Sequence, residues 1–114
     1  MKFKLIVALV NPEITEKVIE SAKMRGATGD VIIPGRGTGV SEKKIFGISL
    51  VDKTDVILFV VEEHATDKII KGFNEDCAIC EPGNGIAFVL SIDRVAGLEH
   101  QIDAIKDKLR NEHL

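Results

Sequence analysis

Lys2-Phe3-Lys4-Leu5-Ile6-Val7-Ala8-Leu9-Val10-Asn11-Pro12-Glu13 is the stretch from which the fold is read. Up to Val10 it is a near-continuous apolar run of strand length, the pattern of a central strand buried on both faces. Asn11, Pro12 and Glu13 then make a helix start: an N-cap, a proline at the first helical position and an acid in the first turn. Ile14, Val18, Ile19 and Ala22 recur at helical spacing through Arg25, and Gly26 ends the helix.

Working outward, Asp30 to Ile33 is a short β-branched run and predicts a second strand. Pro34-Gly35-Arg36-Gly37-Thr38-Gly39 should break it into a loop of permissive backbone positions. Residues 38–52 have weak periodicity and read as an exposed excursion, partly extended near Lys44–Ile48. Asp55 to Val61 is a strong strand, and Thr66 is placed to cap a second helix with Ile69, Ile70 and Phe73 on one face. Glu81-Pro82-Gly83-Asn84-Gly85 is a second glycine loop, and Ile86 to Ile92 a further strand. Leu98, Ile102, Ile105 and Leu109 give an amphipathic final helix over 98–114. The order β-α-β-loop-β-α-β, then a helix, predicts an α+β fold: a ferredoxin-like βαββαβ sandwich with two helices on one face of an antiparallel sheet. Residues 1–114 form one domain, whose two halves share element order but no sequence repeat.

Composition narrows the function classes. The chain has 114 residues, 45% hydrophobic and 29% charged, which fits a single globular domain with a thin core that oligomerisation would complete. A net charge of −3 leaves no basic footprint for nucleic acid. No apolar run reaches the roughly 18–20 residues of a membrane span, so direct membrane insertion is not expected. The amino terminus resembles a signal peptide only superficially, because Asn-Pro-Glu follows the apolar run with no small-residue cleavage site. A cytoplasmic location is expected.

Six of the ten glycines fall between Gly26 and Gly47. Gly35-x-Gly37-x-Gly39 lacks the Gly-Lys-Ser/Thr of a Walker A loop and is not followed by a helical pattern. Two readings stand: a flexible turn, or a nest of backbone amides for an anion. Gly83-Asn84-Gly85 has the same ambiguity, since Asn-Gly is also a common tight turn before a strand. Read together, the loops could meet across an interface and enclose a small ligand.

These segments resemble the PII-like signal-transduction proteins, the nitrogen regulatory protein P-II family. Arg25-Gly-Ala-Thr28, Gly35-Arg-Gly37, Val60-Val61 and Pro82-Gly-Asn-Gly-Ile-Ala-Phe-Val-Leu-Ser-Ile-Asp-Arg-Val95 carry the likeness, which covers residues 1 to about 98. The resemblance implies a homotrimer with adenine nucleotides (ADP, AMP or ATP) in its inter-subunit clefts, and no enzymatic activity. It implies that 38–52 is the family's T-loop, engaging a target protein such as a membrane transporter or a metabolic enzyme. Carried over residue by residue, Gly26, Ala27 and Thr28 form one nucleotide-contacting lip. Gly35, Arg36, Gly37 and Thr38 lie at the T-loop base, and Gly83, Asn84 and Gly85 form the phosphate-side loop.

The chain also departs from the family. Ile86 stands where the family has a lysine, Gly97 and Glu99 where it has arginines, and Thr38 and Gly39 where it has the glutamine that helps hold Mg²⁺ and 2-oxoglutarate. Losing three cations disfavours a polyphosphate, and Arg36 restores one charge. No tyrosine is present for nucleotidylation.

Other candidates have plainer readings. Cys77-x-x-Cys80 has redox or metal spacing but follows a helix and lacks a full ligand set, so it reads as structural, with a redox latch as the sharper alternative. Two cysteines are too few for a disulfide framework. His64, His100 and His113 read as solvated, and Glu62-Glu63 as a solvated strand end. No nucleophile–base arrangement appears. The competing functional reading is a metal-binding trimer of the divalent-cation tolerance type, using Cys77, Cys80 and His64.

Overall fold

The computed structural model describes residues 1–36, 44–45, 48–49, 53–97, 103, 106–107 and 110. The expected site residues Gly37 and Thr38, and most of 38–52 and 98–114, lie outside them. Among the described residues the order is β1 (Phe3–Val10), α1 (Thr15–Met24), β2 (Val31–Arg36), β3 (Lys44–Ile45), β4 (Ile48–Ser49), β5 (Lys53–Glu62), α2 (Thr66–Cys77) and β6 (Gly85–Ser91). β2, β5, β1 and β6 form a four-stranded sheet in that order, antiparallel throughout. β3 and β4 pair separately, Lys44 with Ser49 and Ile45 with Ile48. Asp103, Lys106, Asp107 and Arg110 are helical and exposed. The fold is α+β, a four-stranded antiparallel sheet with two helices, consistent with the ferredoxin-like arrangement.

β1 is central, as its apolar run predicts. Ile6, Ala8 and Val10 are fully buried, and they join Ile57, Phe59 and Val61 of β5 in one core with Val18, Ile19 and Ala22 of α1 and Ile69 and Phe73 of α2. Phe59 and Phe73 meet across the layers, ring centroids 6.0 Å apart. Both helices therefore lie on one face. Asn11 caps as expected, its side chain accepting from the Glu13 amide at 3.0 Å. The first turn is a 3-10 turn, Pro12–Ile14, before α1 begins.

Three expectations need correction. Pro34 and Gly35 do not break the second strand: β2 continues to Arg36, pairing Pro34 with Asp55, Gly35 with Thr54 and Arg36 with Lys53. β2 is an edge strand, and an edge accepts proline because one row of its backbone groups faces no partner strand. Thr66 does not cap α2: a 3-10 turn over Glu63–Ala65 precedes the helix, and Glu62 caps that turn through the His64 amide. Glu62 is not solvated but 7% exposed. Its Oε2 accepts from the His64 amide at 2.8 Å and its Oε1 pairs with His64 Nδ1 at 2.5 Å.

The opposite face of the sheet is also apolar. Period-two alternation places Leu5, Val7 and Leu9 of β1 there. Their cross-strand partners are Val60, Leu58 and Val56 of β5, and Leu90, Phe88 and Ile86 of β6. Neither α1 nor α2 covers this face. Phe88 and Leu90 are 38% and 48% exposed.

Candidate functional site

Strand register places the candidate residues. Val10, the last residue of β1, pairs with Asp55 on one side and Gly85 on the other, and Asp55 pairs with Pro34. The start of β6, the end of β2 and the start of β5 thus share one end of the sheet. A cleft of about 440 Å³ opens there between Pro12, Pro34, Gly35, Arg36, Lys53 and Asp55. Thr15 Oγ1 donates to Asp55 Oδ2 at 2.6 Å and fixes one wall.

Arg36 and Lys53 stand directly opposite each other on neighbouring strands. Like charges so placed repel, and an anion between them relieves the repulsion. Neither has an ion pair among the described residues. Lys53 carries no local sequence signal, because it precedes the apolar run at 55–61. Its place beside Arg36 follows from the register of β2 with β5.

The Gly83–Gly85 loop reaches the same end. The Asn11 amide donates to the Asn84 carbonyl at 2.8 Å, which sets this loop beside Pro12 and the cleft. The Asn84 side chain is held within its own loop, donating to the Ala78 carbonyl at 2.8 Å. Gly85 has φ +142°, and a Cβ there would collide with the Leu9 carbonyl and come within 2.8 Å of Val10 Cα. At Gly83, φ +84°, a Cβ would have no neighbour within 4 Å among the described residues. Asn84 and Gly85 shape the loop.

Gly26, Ala27 and Thr28 lie elsewhere. α1 carries the chain back along the sheet, and Gly26 reverses it with φ +119°. A Cβ on Gly26 would be 3.2 Å from Ala65 Cβ. Ala65 follows Glu62, which pairs with Phe3 at the far end of β1. Seven residue steps separate Phe3 from Val10, roughly 23 Å at strand rise. In one copy, the Thr28 lip and the Arg36 cleft are therefore at opposite ends of the sheet. Thr28 Oγ1, like Thr66 Oγ1, is buried without a hydrogen-bond partner among the described residues.

The cysteines and histidine of the competing metal reading are not brought together. His64 precedes α2 and Cys77 is the last of its twelve residues, a helix length of roughly 18 Å. Cys77 is buried and Cys80 exposed, both as free thiols. Burial pushes the Cys77 thiol up, and Cys80 Sγ donates to Asn74 Oδ1 at 2.9 Å. Ligand atoms of Glu62, Glu63 and His64 do lie within 4.8 Å of one another, but both Glu62 oxygens are already engaged with His64.

The described residues thus form a four-stranded antiparallel sheet with a cleft bordered by Arg36 and Lys53 at one end and the Gly26–Thr28 turn at the other. Residues 3–101 match the family Nitrogen regulatory protein P-II. The chain belongs to that family of nitrogen regulatory proteins. Among solved structures it is similar to a PII-like signaling protein from Thermus thermophilus, with a TM-score of 0.62 and 21% identity. That likeness covers 81% of this chain and 87% of the other, and it speaks for the fold alone. No curated protein shows significant similarity to the chain.

Proposed function

We propose that this protein binds an adenine nucleotide in clefts between the copies of a homotrimer and controls a partner protein through residues 38–52. The observation that carries this reading is the separation of the two lips. Gly26–Thr28 and the Gly35–Arg36–Gly83 end stand at opposite ends of one sheet, so a single site using both takes its second lip from another copy. The apolar sheet face gives the copies a reason to associate, since leaving Phe88 and Leu90 in water forgoes about 25 cal/mol for each Å² of apolar surface.

The chemistry of the two lips matches the two ends of a nucleotide. Arg36 and Lys53 are suited to phosphate, and they supply charge that Ile86, Gly97 and Glu99 do not. Thr28 Oγ1, in a lip of buried Ala27 and half-buried glycines, suits the polar edge of a base or sugar. With two cations in place of a fuller set, AMP or ADP fits better than ATP with 2-oxoglutarate and Mg²⁺. Occupancy then acts by linkage, the nucleotide favouring whichever state of the 38–52 segment it binds better. A transporter or metabolic enzyme in the cytoplasm is the partner class this reading implies.

A thermal-shift series with AMP, ADP, ATP and cyclic nucleotides tests the proposal. A rise in midpoint with one of them, abolished by Arg36→Glu with Lys53→Glu, is expected. No shift with any of them refutes it.

A further inference from the structure

Arg25 opens the Arg25-Gly26-Ala27-Thr28 stretch and is the cation nearest to that lip in sequence. A phosphate-binding role is the obvious assignment, but the side chain is committed elsewhere. Its Nη2 donates to Asp76 Oδ2 at 3.2 Å and to Oδ1 at 3.4 Å, and its Nε donates to Oδ2 at 3.3 Å. Nη1 donates to the Lys68 carbonyl at 3.3 Å, and Glu75 stands 3.6 Å from Nη2. All three guanidinium nitrogens are thus spent on α2.

The surrounding residues are shaped to this placement. Gly72 faces Arg25, and a Cβ there would collide with Nε and come within 2.5 Å of Cδ. Ser21, one turn before Arg25 on α1, donates to Asp76 Oδ2 at 2.8 Å. Immediately after Arg25 the chain reverses: the Gly26 amide donates to the Lys23 carbonyl at 3.3 Å, and the Ala27 amide to the Ala22 carbonyl at 2.9 Å.

We propose that Arg25 is a positioning residue for the nucleotide lip, clamping the end of α1 to α2 through Asp76 so that Gly26–Thr28 leaves the helix in a fixed direction. The inference rests on the proposed function for what the lip binds, but the clamp itself is a property of the free protein. It assigns phosphate neutralisation to Arg36 and Lys53 and removes Arg25 from that role. A planar fork reaching a carboxylate and a carbonyl at once is something arginine does and lysine does not.

The test compares wild type with Arg25→Ala, Arg25→Lys and Gly72→Ala, titrated with adenosine, AMP, ADP and ATP. A positioning role predicts that all three variants weaken every ligand by a similar factor, about tenfold for the loss of one charged hydrogen-bonded contact. Arg25→Lys should fail to restore affinity. Gly72→Ala should act like Arg25→Ala although it removes no charge. Losses that grow from adenosine to ATP, with rescue by lysine, would make Arg25 a phosphate ligand and overturn the proposal. Should wild type bind none of the four, the nucleotide reading falls on its own, and amide exchange decides the clamp. Residues 26–30 should then exchange faster in Arg25→Ala and Gly72→Ala while the 83–85 loop is unchanged, and equal exchange in wild type and variants would refute it.

Discussion

Thr15 Oγ1 and Asp55 Oδ2 are joined by a 2.6 Å hydrogen bond across 40 residues of sequence. The bond ties the start of α1 to the start of β5, where the strand borders the cationic cleft. Thr15 is 5% exposed, so its hydroxyl depends on this partner. Thr15→Val should cost roughly 1.5–3 kcal/mol, the range for a hydrogen bond to a charged group. Urea unfolding measures it, and an unchanged midpoint would show that the bond contributes nothing.

The two positive-φ glycines of the 83–85 loop should respond differently to alanine. At Gly85 the added Cβ meets β1 backbone, which cannot yield without breaking the sheet register. Gly85→Ala should destabilise by more than about 3 kcal/mol or prevent folding. Gly83→Ala meets no neighbour among the described residues and should cost only the left-handed backbone penalty, roughly 1–2 kcal/mol. Equal losses would contradict this account of the loop.

Acid stability should depend on Asp76. The Ser21 hydroxyl, against some desolvation, and the Arg25 guanidinium hold this carboxyl below its ordinary 3.8. A depressed folded-state value stabilises the protein above the unfolded-state value and loses that contribution as pH falls through the folded one. The stability gap between wild type and Asp76→Asn should therefore be full at neutral pH and close as pH drops below 3.8. Unfolding curves from neutral to strongly acidic pH check this, and a gap independent of pH would contradict it.

Thiol labelling separates the two cysteines. Burial raises the Cys77 thiol and keeps reagent from it, while Cys80 is exposed. Iodoacetamide should modify Cys80 in the native protein and Cys77 only on unfolding, as read by mass spectrometry of peptides. Native labelling of Cys77 would show that the end of α2 is not packed as described.

Much of this molecule was legible in its sequence because the signals are local. The apolar run to Val10, the Asn11 cap and the spacing of Ile14, Val18 and Ala22 each depend on neighbours within a few residues. What escaped depends on distant partners. Pro34 reads as a strand breaker until β5 is known to lie beside it, on the one side an edge strand needs. Lys53 gains meaning only from its register with Arg36. Glu62 looks solvated until Phe3 pairs with it and His64 turns back onto it. Gly26 and Gly35 stand nine residues apart in sequence, whereas the sheet sets them at its two ends.

That separation is the centre of the functional account, and mixing variants tests it most directly. One variant carries Arg36→Glu with Lys53→Glu, the other Thr28→Val. Each alone should lose nucleotide binding, because every cleft then has one damaged lip. Unfolded and refolded together, the two should form mixed trimers in which some clefts join an intact Arg36 end to an intact Thr28 lip. Calorimetry with ADP should recover binding at a fraction of the sites in the mixture. Binding that stays absent after mixing, in assemblies shown to contain both variants, would contradict a site shared between copies.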